Sequence, residues 1–483
     1  MKKALAWLFA LCVAVGCIVA PSTVQAESVD ASFVAPELSP DAAPYDAEHP
    51  EQLSEDQIYA VSALLMEEES GEIIFEKNID QQMSPASTTK IMTVLLGCMY
   101  GDLNATVTIN ADDLNIESGS STLQLKEGEE INFQDMLYGT ILRSGNEAAN
   151  AIARTVSGSV SEFVNLMNET AAQMGCTSTH FNNPHGLTDP DHYTTARDLA
   201  IIARTAMQND LFRTIVNTRS YDLPRSNKQK ARTINTNIRW LQMGTADAPN
   251  EEYYQYGTGI KSGSTNAAGY CFVGSAEKDG VKLISVVLYS GDKRRFIDTN
   301  HLMDYGFAQY VNVSPAELYA MNPVSIQTTN YSLDDSNMGQ VELLCTPMDA
   351  NASAVSITAT KEQVEVMASN LRNTCLFTYT RDFIAPITAG ESMGTMTYVS
   401  DDGQTYEYQL TASRSIDKRE NAPKTLEEIE AAVAADPNPF PPFTFEMALY
   451  IVIPVGAVVV LVLVLRKLLK RRRVRMGRMP KVK

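Results

Sequence analysis

Pro85-Ala86-Ser87-Thr88-Thr89-Lys90-Ile91-Met92-Thr93-Val94-Leu95-Leu96 is the most informative stretch of the chain. After Pro85 the apolar residues fall at helical spacing, so Ile91, Val94 and Leu95 can face a core. Proline is tolerated in a first helical turn. Ser87 then lies near a helix N-terminus with Lys90 three residues on, and residues i and i+3 share a helix face. A serine hydroxyl beside an unprotonated amine is a nucleophile with its base. Taken alone, the four residues more readily describe a helix start with a Ser cap and a solvated lysine.

The flanking chain supplies the setting. Two strands are expected at 60–66 and 72–77, around a turn at Ser70-Gly71. Residues 106–131 are polar with short strand-like pieces. Helical periodicity runs over 133–142, breaks at Arg143-Ser144-Gly145-Asn146 and resumes over 147–156, with another amphipathic helix at 161–174. The turn-rich loop Phe181-Asn182-Asn183-Pro184-His185-Gly186-Leu187 leads to Thr194 or Thr195, either able to cap a helix reaching about 208. A polar, irregular segment spans 216–256. Gly257-Thr258-Gly259-Ile260-Lys261-Ser262-Gly263-Ser264-Thr265 precedes a β-hairpin, 270–276 and 281–289, turning at Lys278-Asp279-Gly280. A helix over 294–310 closes the region. Strands at both ends and helices between predict an α/β (α+β) domain over 57–310, with a sheet lobe, a helical lobe and a cleft where they meet.

Beyond it, short strands at 324–328, 341–345, 355–360, 376–380, 395–399 and 406–410 predict a small all-β domain over 311–413, expected as a sandwich. Residues 414–446 carry charges and a cluster at Pro437, Pro439, Pro441 and Pro442, and suit a semi-rigid stalk. Residues 1–26 have the Lys2-Lys3 start, apolar run and Val24-Gln25-Ala26 end of a signal peptide. An uncleaved anchor, or lipid attachment at Cys17, is the alternative. Residues 27–56, rich in Ala, Pro, Ser and acids, are expected as a flexible leader. The nineteen residues 447–465 carry no charge and are long enough for one transmembrane helix. The ten Lys and Arg of 466–483 have no acid among them and place that tail in the cytoplasm. A single-pass protein of the cell membrane is expected, its catalytic domain extracytoplasmic.

Composition narrows the chemistry. Of 39 Lys and Arg, twelve lie in the two ends, leaving 27 against 58 acids and a formal charge of −31. Such an exported part is a poor partner for nucleic acid. Five of seven cysteines lie beyond the signal peptide without C-x-x-C spacing, and pairing of Cys345 with Cys375 is left open. Five scattered histidines form no H-E-x-x-H pattern. No metal and no cofactor is expected. Oligomeric state is left open.

Ser87-Thr88-Thr89-Lys90, Ser144-Gly145-Asn146 and Lys261-Ser262-Gly263 stand in this order, one opening a helix, one breaking a helix, one on a strand before a hairpin. In these motifs the chain resembles the serine D-alanyl-D-alanine carboxypeptidases among the low-molecular-mass penicillin-binding proteins. The resemblance runs from about Tyr59 to Tyr310, taking in the 181–187 loop and Thr195-Ala196-Arg197-Asp198, and more weakly Ala385-Pro386-Ile387 and Gly394-Thr395-Met396. It implies a two-lobed penicillin-recognising serine transpeptidase/β-lactamase-like fold. It implies Ser87 as nucleophile, Lys90 as general base and Ser144 as proton relay. Asn146 would hold the substrate backbone, and Lys261, Ser262 and Arg295 its terminal carboxylate, with Arg294 the alternative to Arg295. The backbone N–H groups of Ser87 and Ser264 would form the oxyanion hole. Peptidoglycan stem peptides and β-lactams are the implied partners. A free lysine titrates near 10.4, so Lys90 needs burial and a second cation such as Lys261 to stay neutral. Ser262 stands where the family usually has Thr, which keeps the hydroxyl. A class A-like β-lactamase would deacylate with a glutamate, and 171–200 contains none. A catalytically silent peptidoglycan-binding scaffold would not need the intact Ser, Lys, Ser, Asn and Lys set. Endopeptidase action on cross-links stays open as a side activity.

Overall fold

The computed structural model describes residues 42–420 apart from 246, 247 and 401, with five more between 430 and 467. The described residues fall into two compact units: those up to Asn322 with Asp349–Thr374, and Pro323–Met348 with those from Cys375 on.

The first unit is built on a five-stranded antiparallel sheet. Its strands are β1 (Ser62–Glu67), β2 (Ile73–Lys77), β7 (Gly257–Thr265), β8 (Gly269–Lys278) and β9 (Val281–Ser290), in the order β2-β1-β9-β8-β7. Every residue of β1 is buried, as suits a strand covered on both faces. Between β2 and β7 the chain runs α1 (Lys90–Tyr100), β3 (Thr106–Thr108), β4 (Glu130–Asn132), α2 (Phe133–Leu142), α3 (Asn146–Ser157), α4 (Val160–Gln173), α5 (Ala196–Met207), α6 (Asp210–Asn217), β5 (Ser220–Leu223) and β6 (Arg232–Asn235). On one sheet face Leu64, Met66, Val273, Ile284 and Val286 join the helical core with Ile91, Val94, Leu95, Phe133 and Ile152. On the other, Ala63, Leu65, Phe272, Leu283 and Val287 pack on Phe296, Leu302 and Met303 of α7 (Arg294–Gln309). The two expected lobes and the closing helix are therefore present. The hairpin turn at Asp279 (φ 51°) and Gly280 (φ 81°) has the positive angles that match strand twist.

Three expectations change. Residues 42–56 were expected to be part of a flexible leader, but they pack: Tyr45 stacks on His301 with ring centroids 3.7 Å apart, Leu53 is buried, and Ala43 N–H donates to Asp56 O at 2.8 Å. Aromatic and aliphatic anchors outweigh the polar composition there. The segment 216–256 opens on the last two residues of α6 and holds the β5–β6 hairpin, Ser220 opposite Asn235. The run 311–413 is not strands alone. After β10 (Tyr310–Val313) come α8 (Pro315–Met321), β11 (Ser325–Gln327), β12 (Gln340–Pro347), α9 (Ala350–Ser353), β13 (Ile357–Thr360), α10 (Lys361–Thr374), β14 (Leu376–Tyr379), β15 (Ser392–Val399) and β16 (Thr405–Ala412). Strands β10 and β13 pair, and α8, β13 and α10 belong to the first unit. On α10, Val364, Ala368 and Leu371 recur at helical spacing and are buried. The second unit holds one five-stranded sheet among its described residues, β11-β12-β16-β15-β14, in place of a sandwich.

No helix among the described residues is long and apolar enough to cross a membrane. The signal peptide, residues 27–41 of the leader, and nearly all of the stalk beyond 420, of the 447–465 span and of the basic tail lie outside the described residues. Cys345 and Cys375 are not joined in a disulfide.

Candidate active site

Ser87 lies in a 3-10 turn, Ala86–Thr89, and Lys90 is the first residue of α1, so the helix expected over both residues begins at the lysine. Ala86 has φ 50°, a left-handed angle that non-glycine residues seldom adopt. Neighbours hold the turn in this shape. The hydroxyl of Thr88 donates to Pro85 O at 2.6 Å and that of Thr89 to Ala86 O at 2.8 Å. Two glycines allow close approach. A Cβ on Gly186 would sit 1.8 Å from Ala86 O, and one on Gly263 would sit 2.8 Å from Ser87 N. The 181–187 loop and β7 thus press on the turn from two sides. Strand β7 is the edge of its sheet, and an edge strand keeps outward backbone groups unpaired. Ser264 N–H therefore belongs to a strand facing Ser87.

Lys90 is fully buried, and its Nζ lies 2.9 Å from Ser87 Oγ, 2.7 Å from Asn146 Oδ1 and 2.6 Å from His185 O. Burial first, then the Lys261 cation, push its pKa well below that of a free lysine, while Glu147 acts in the opposite direction. In a neutral amine, the two carbonyl oxygens take both N–H groups and the lone pair is left for the Ser87 hydroxyl. Lys261 on β7 is also fully buried and donates to Ser262 O at 2.8 Å. Burial and then Arg295 push it down to about 7.

Ser144 has φ 58° in the break between α2 and α3, and its buried hydroxyl has no hydrogen-bond partner among the described residues. Asn146 opens α3, and its N–H donates to Ser121 O at 3.0 Å. With Oδ1 taken by Lys90, its amide NH2 remains for a substrate carbonyl. Ser262 is nearly buried on β7. Arg295 reaches β7 from α7: it donates to Gly263 O at 3.1 Å and to Asp292 at 3.2 Å, and it lies over the Tyr270 ring at 5.0 Å. Arg294 is exposed over Tyr59 instead. Ser87, Lys90 and Asn146 are thus brought into contact, and Arg295, rather than Arg294, joins the strand of Lys261 and Ser262.

Several contributors escaped the sequence. His185 acts through its carbonyl, which any residue carries. His192 Nδ1 accepts from Asn182 N–H at 3.0 Å, so its Nε2–H faces Thr89 Oγ1 at 2.8 Å. Burial holds His192 down to about 4 and His185 to about 3, so both are neutral at ordinary pH. Thr93 Oγ1 donates to Pro184 O at 2.5 Å and ties α1 to the same loop. Glu147 was also missed. No cluster of three or more His, Cys, Asp or Glu that could hold a metal occurs among the described residues.

Residues 49–291 match the family described as D-alanyl-D-alanine carboxypeptidase. D-alanyl-D-alanine carboxypeptidase DacF of Bacillus subtilis is 34% identical over 255 residues, covering 52% of this chain and 63% of its own length. The chain therefore spans less than two thirds of that relative. The D-alanyl-D-alanine carboxypeptidase of Streptomyces sp. strain K15 is 34% identical over 262 residues, covering 52% of this chain and 88% of its own. A crystal structure of the Streptomyces K15 DD-transpeptidase is 31% identical, covers 53% of this chain and 100% of that one, and has a TM-score of 0.48.

Proposed function

Because the chain belongs to the D-alanyl-D-alanine carboxypeptidase family, we propose that it is a serine hydrolase that removes the terminal D-alanine from peptidoglycan stem pentapeptides. The observation that carries this reading is the placement of the buried Lys90 Nζ between Ser87 Oγ and two carbonyl acceptors. Ser87 Oγ attacks the carbonyl of the penultimate D-Ala while Lys90 takes its proton. The N–H groups of Ser87 and Ser264 stabilise the oxyanion, a class of interaction whose single donors are worth roughly 10²–10³ in rate. Ser144 passes a proton to the departing D-Ala amine, which completes the break of the C–N bond. Lys261, Ser262 and Arg295 hold the terminal carboxylate, and Asn146 the peptide backbone. Water then hydrolyses the Ser87 ester. A β-lactam presents the same acyl bond and carboxylate and acylates Ser87 in its place.

The test is D-alanine release by the full-length chain from a peptide ending in D-Ala-D-Ala, with Ser87→Ala alongside. One D-Ala per peptide and no covalent penicillin adduct in the variant are expected. Release by the variant at the wild-type rate would overturn the nucleophile assignment. The charge pattern of the two ends supports an exported enzyme held by 447–465. Ended after residue 420, the chain should remain in the supernatant; sedimentation with membranes would point to attachment elsewhere.

A further inference from the structure

Glu147 follows the Ser144-Gly145-Asn146 turn and is only 1% exposed. Its Oε1 accepts from Leu123 N–H at 2.7 Å and Leu125 N–H at 3.2 Å, while its buried Oε2 has no hydrogen-bond partner among the described residues. The segment it grips, 121–125, includes Gln124 at φ 63°, an angle that needs support in a non-glycine residue. That support comes from both sides. Ser121 O accepts from Asn146 N–H at 3.0 Å. Leu123 O accepts from Arg232 at 3.1 Å, and Gln124 O from Gln229 at 2.9 Å, tying the segment to β6 and the turn before it. The Leu123 side chain fills the space over Gly139, where a Cβ would come within 2.2 Å of it.

We propose that Glu147 is a positioning residue for the reaction, its carboxylate locking segment 121–125 to the Ser144-Gly145-Asn146 turn as one wall of the cleft. The inference rests on the assignment of Ser87 and Lys90 given above. The lock has an electrostatic consequence, because Oε2 has no hydrogen-bond partner among the described residues. Burial raises the carboxyl's own pKa, and the backbone N–H groups around it, Leu125 and Leu123 among them, act in the opposite direction and favour its charge. The titratable or charged groups facing Lys90 are Lys261 on β7, Glu147 on α3, and the neutral His185 and His192 of the loop before α5; Arg295 acts on Lys261. Among them Glu147 favours the protonated amine. Removing its charge while keeping its shape therefore frees the base at lower pH.

The experiment measures kcat/KM for D-alanine release, and the rate of penicillin acylation, against pH for the full-length wild type, Glu147→Gln and Glu147→Ala. Gln keeps a carbonyl for the two N–H groups. Its acid limb is expected about one pH unit lower, with the plateau within about tenfold of wild type. Ala leaves two buried N–H groups unpaired and should lower the plateau about 100-fold, with a cooperative melt showing that it still folds. A Gln profile that overlays wild type, or an Ala variant of wild-type activity, overturns the proposal. If the Ala variant does not fold, the Gln profile decides. If wild type neither releases D-alanine nor is acylated, the functional reading itself has failed, an outcome distinct from overlaid active profiles.

Discussion

Lys90 and Lys261 are two buried lysines, and in the proposed mechanism the second helps the first to act as a base. The Lys261 cation disfavours a proton on Lys90. Lys261→Met keeps much of the side-chain volume and removes the charge, so Lys90 should hold its proton to higher pH. The acid limb of penicillin acylation is expected to rise by about one unit, opposite to the shift expected from Glu147→Gln, and KM should rise as the carboxylate loses a partner. An unmoved limb in single-turnover acylation would mean that the two amines are not coupled. As candidates, Ser87, Lys90, Ser144, Asn146 and Lys261 could be picked from the sequence because the proposed chemistry needs those side chains at fixed motif positions. The acceptor on His185 was not legible, since it is backbone. Nor was Glu147, an acid in a first helical turn, where acids are favoured for the helix dipole alone.

Helix α7 does more than close the catalytic unit. Its Asp298, 1% exposed, accepts from Tyr59 N–H at 3.0 Å, Ala60 N–H at 2.9 Å and Ser290 Oγ at 3.1 Å, pinning the chain where it enters β1. Burial pushes this carboxyl up to about 6 from 3.8, against the hydrogen bonds that favour its charged form. With the folded pKa above the unfolded value, the folded state binds more protons between about pH 4 and pH 6. This contribution is full below pH 4 and is lost as pH rises through 6, a change of about 3 kcal/mol. Asp298→Asn should remove that slope. It should also lower stability by about 1–3 kcal/mol, because an amide NH2 meets N–H donors. Urea melts at pH 4 and pH 7 read both effects, and parallel wild-type and variant curves would refute the assignment. Helices with strong periodicity, such as α2 at Phe133–Leu142, were found at their expected bounds. Helix α10 was passed over because a strand immediately precedes it and its buried positions, Val364, Ala368 and Leu371, are few.

The molecule's division into units differs from its division along the sequence. A boundary at 310/311 looks natural, since motifs end there and short strands begin. Yet the first unit takes back 311–322 and 349–374, so the chain crosses between units three times. Strand β10 runs directly on from α7 and pairs with β13, Tyr310 opposite Thr360, and α10 packs on α8 and β10. A sequence pattern cannot announce this, because the pairing joins segments some fifty residues apart and strand partners are set by three-dimensional packing. Among the described residues, the two large cores of the first unit draw on none beyond Tyr310, so a chain ended after 310 should keep the cleft. It should nevertheless lose the buried faces of α8 and α10. Compared with a chain ended after 420, we expect penicillin acylation within about threefold and a melting temperature about 5 °C lower. Equal melting temperatures would show that α8, β13 and α10 lend the catalytic unit nothing. Loss of acylation at 310 would show instead that the cleft depends on them, and that the boundary suggested by the motifs cuts through the enzyme.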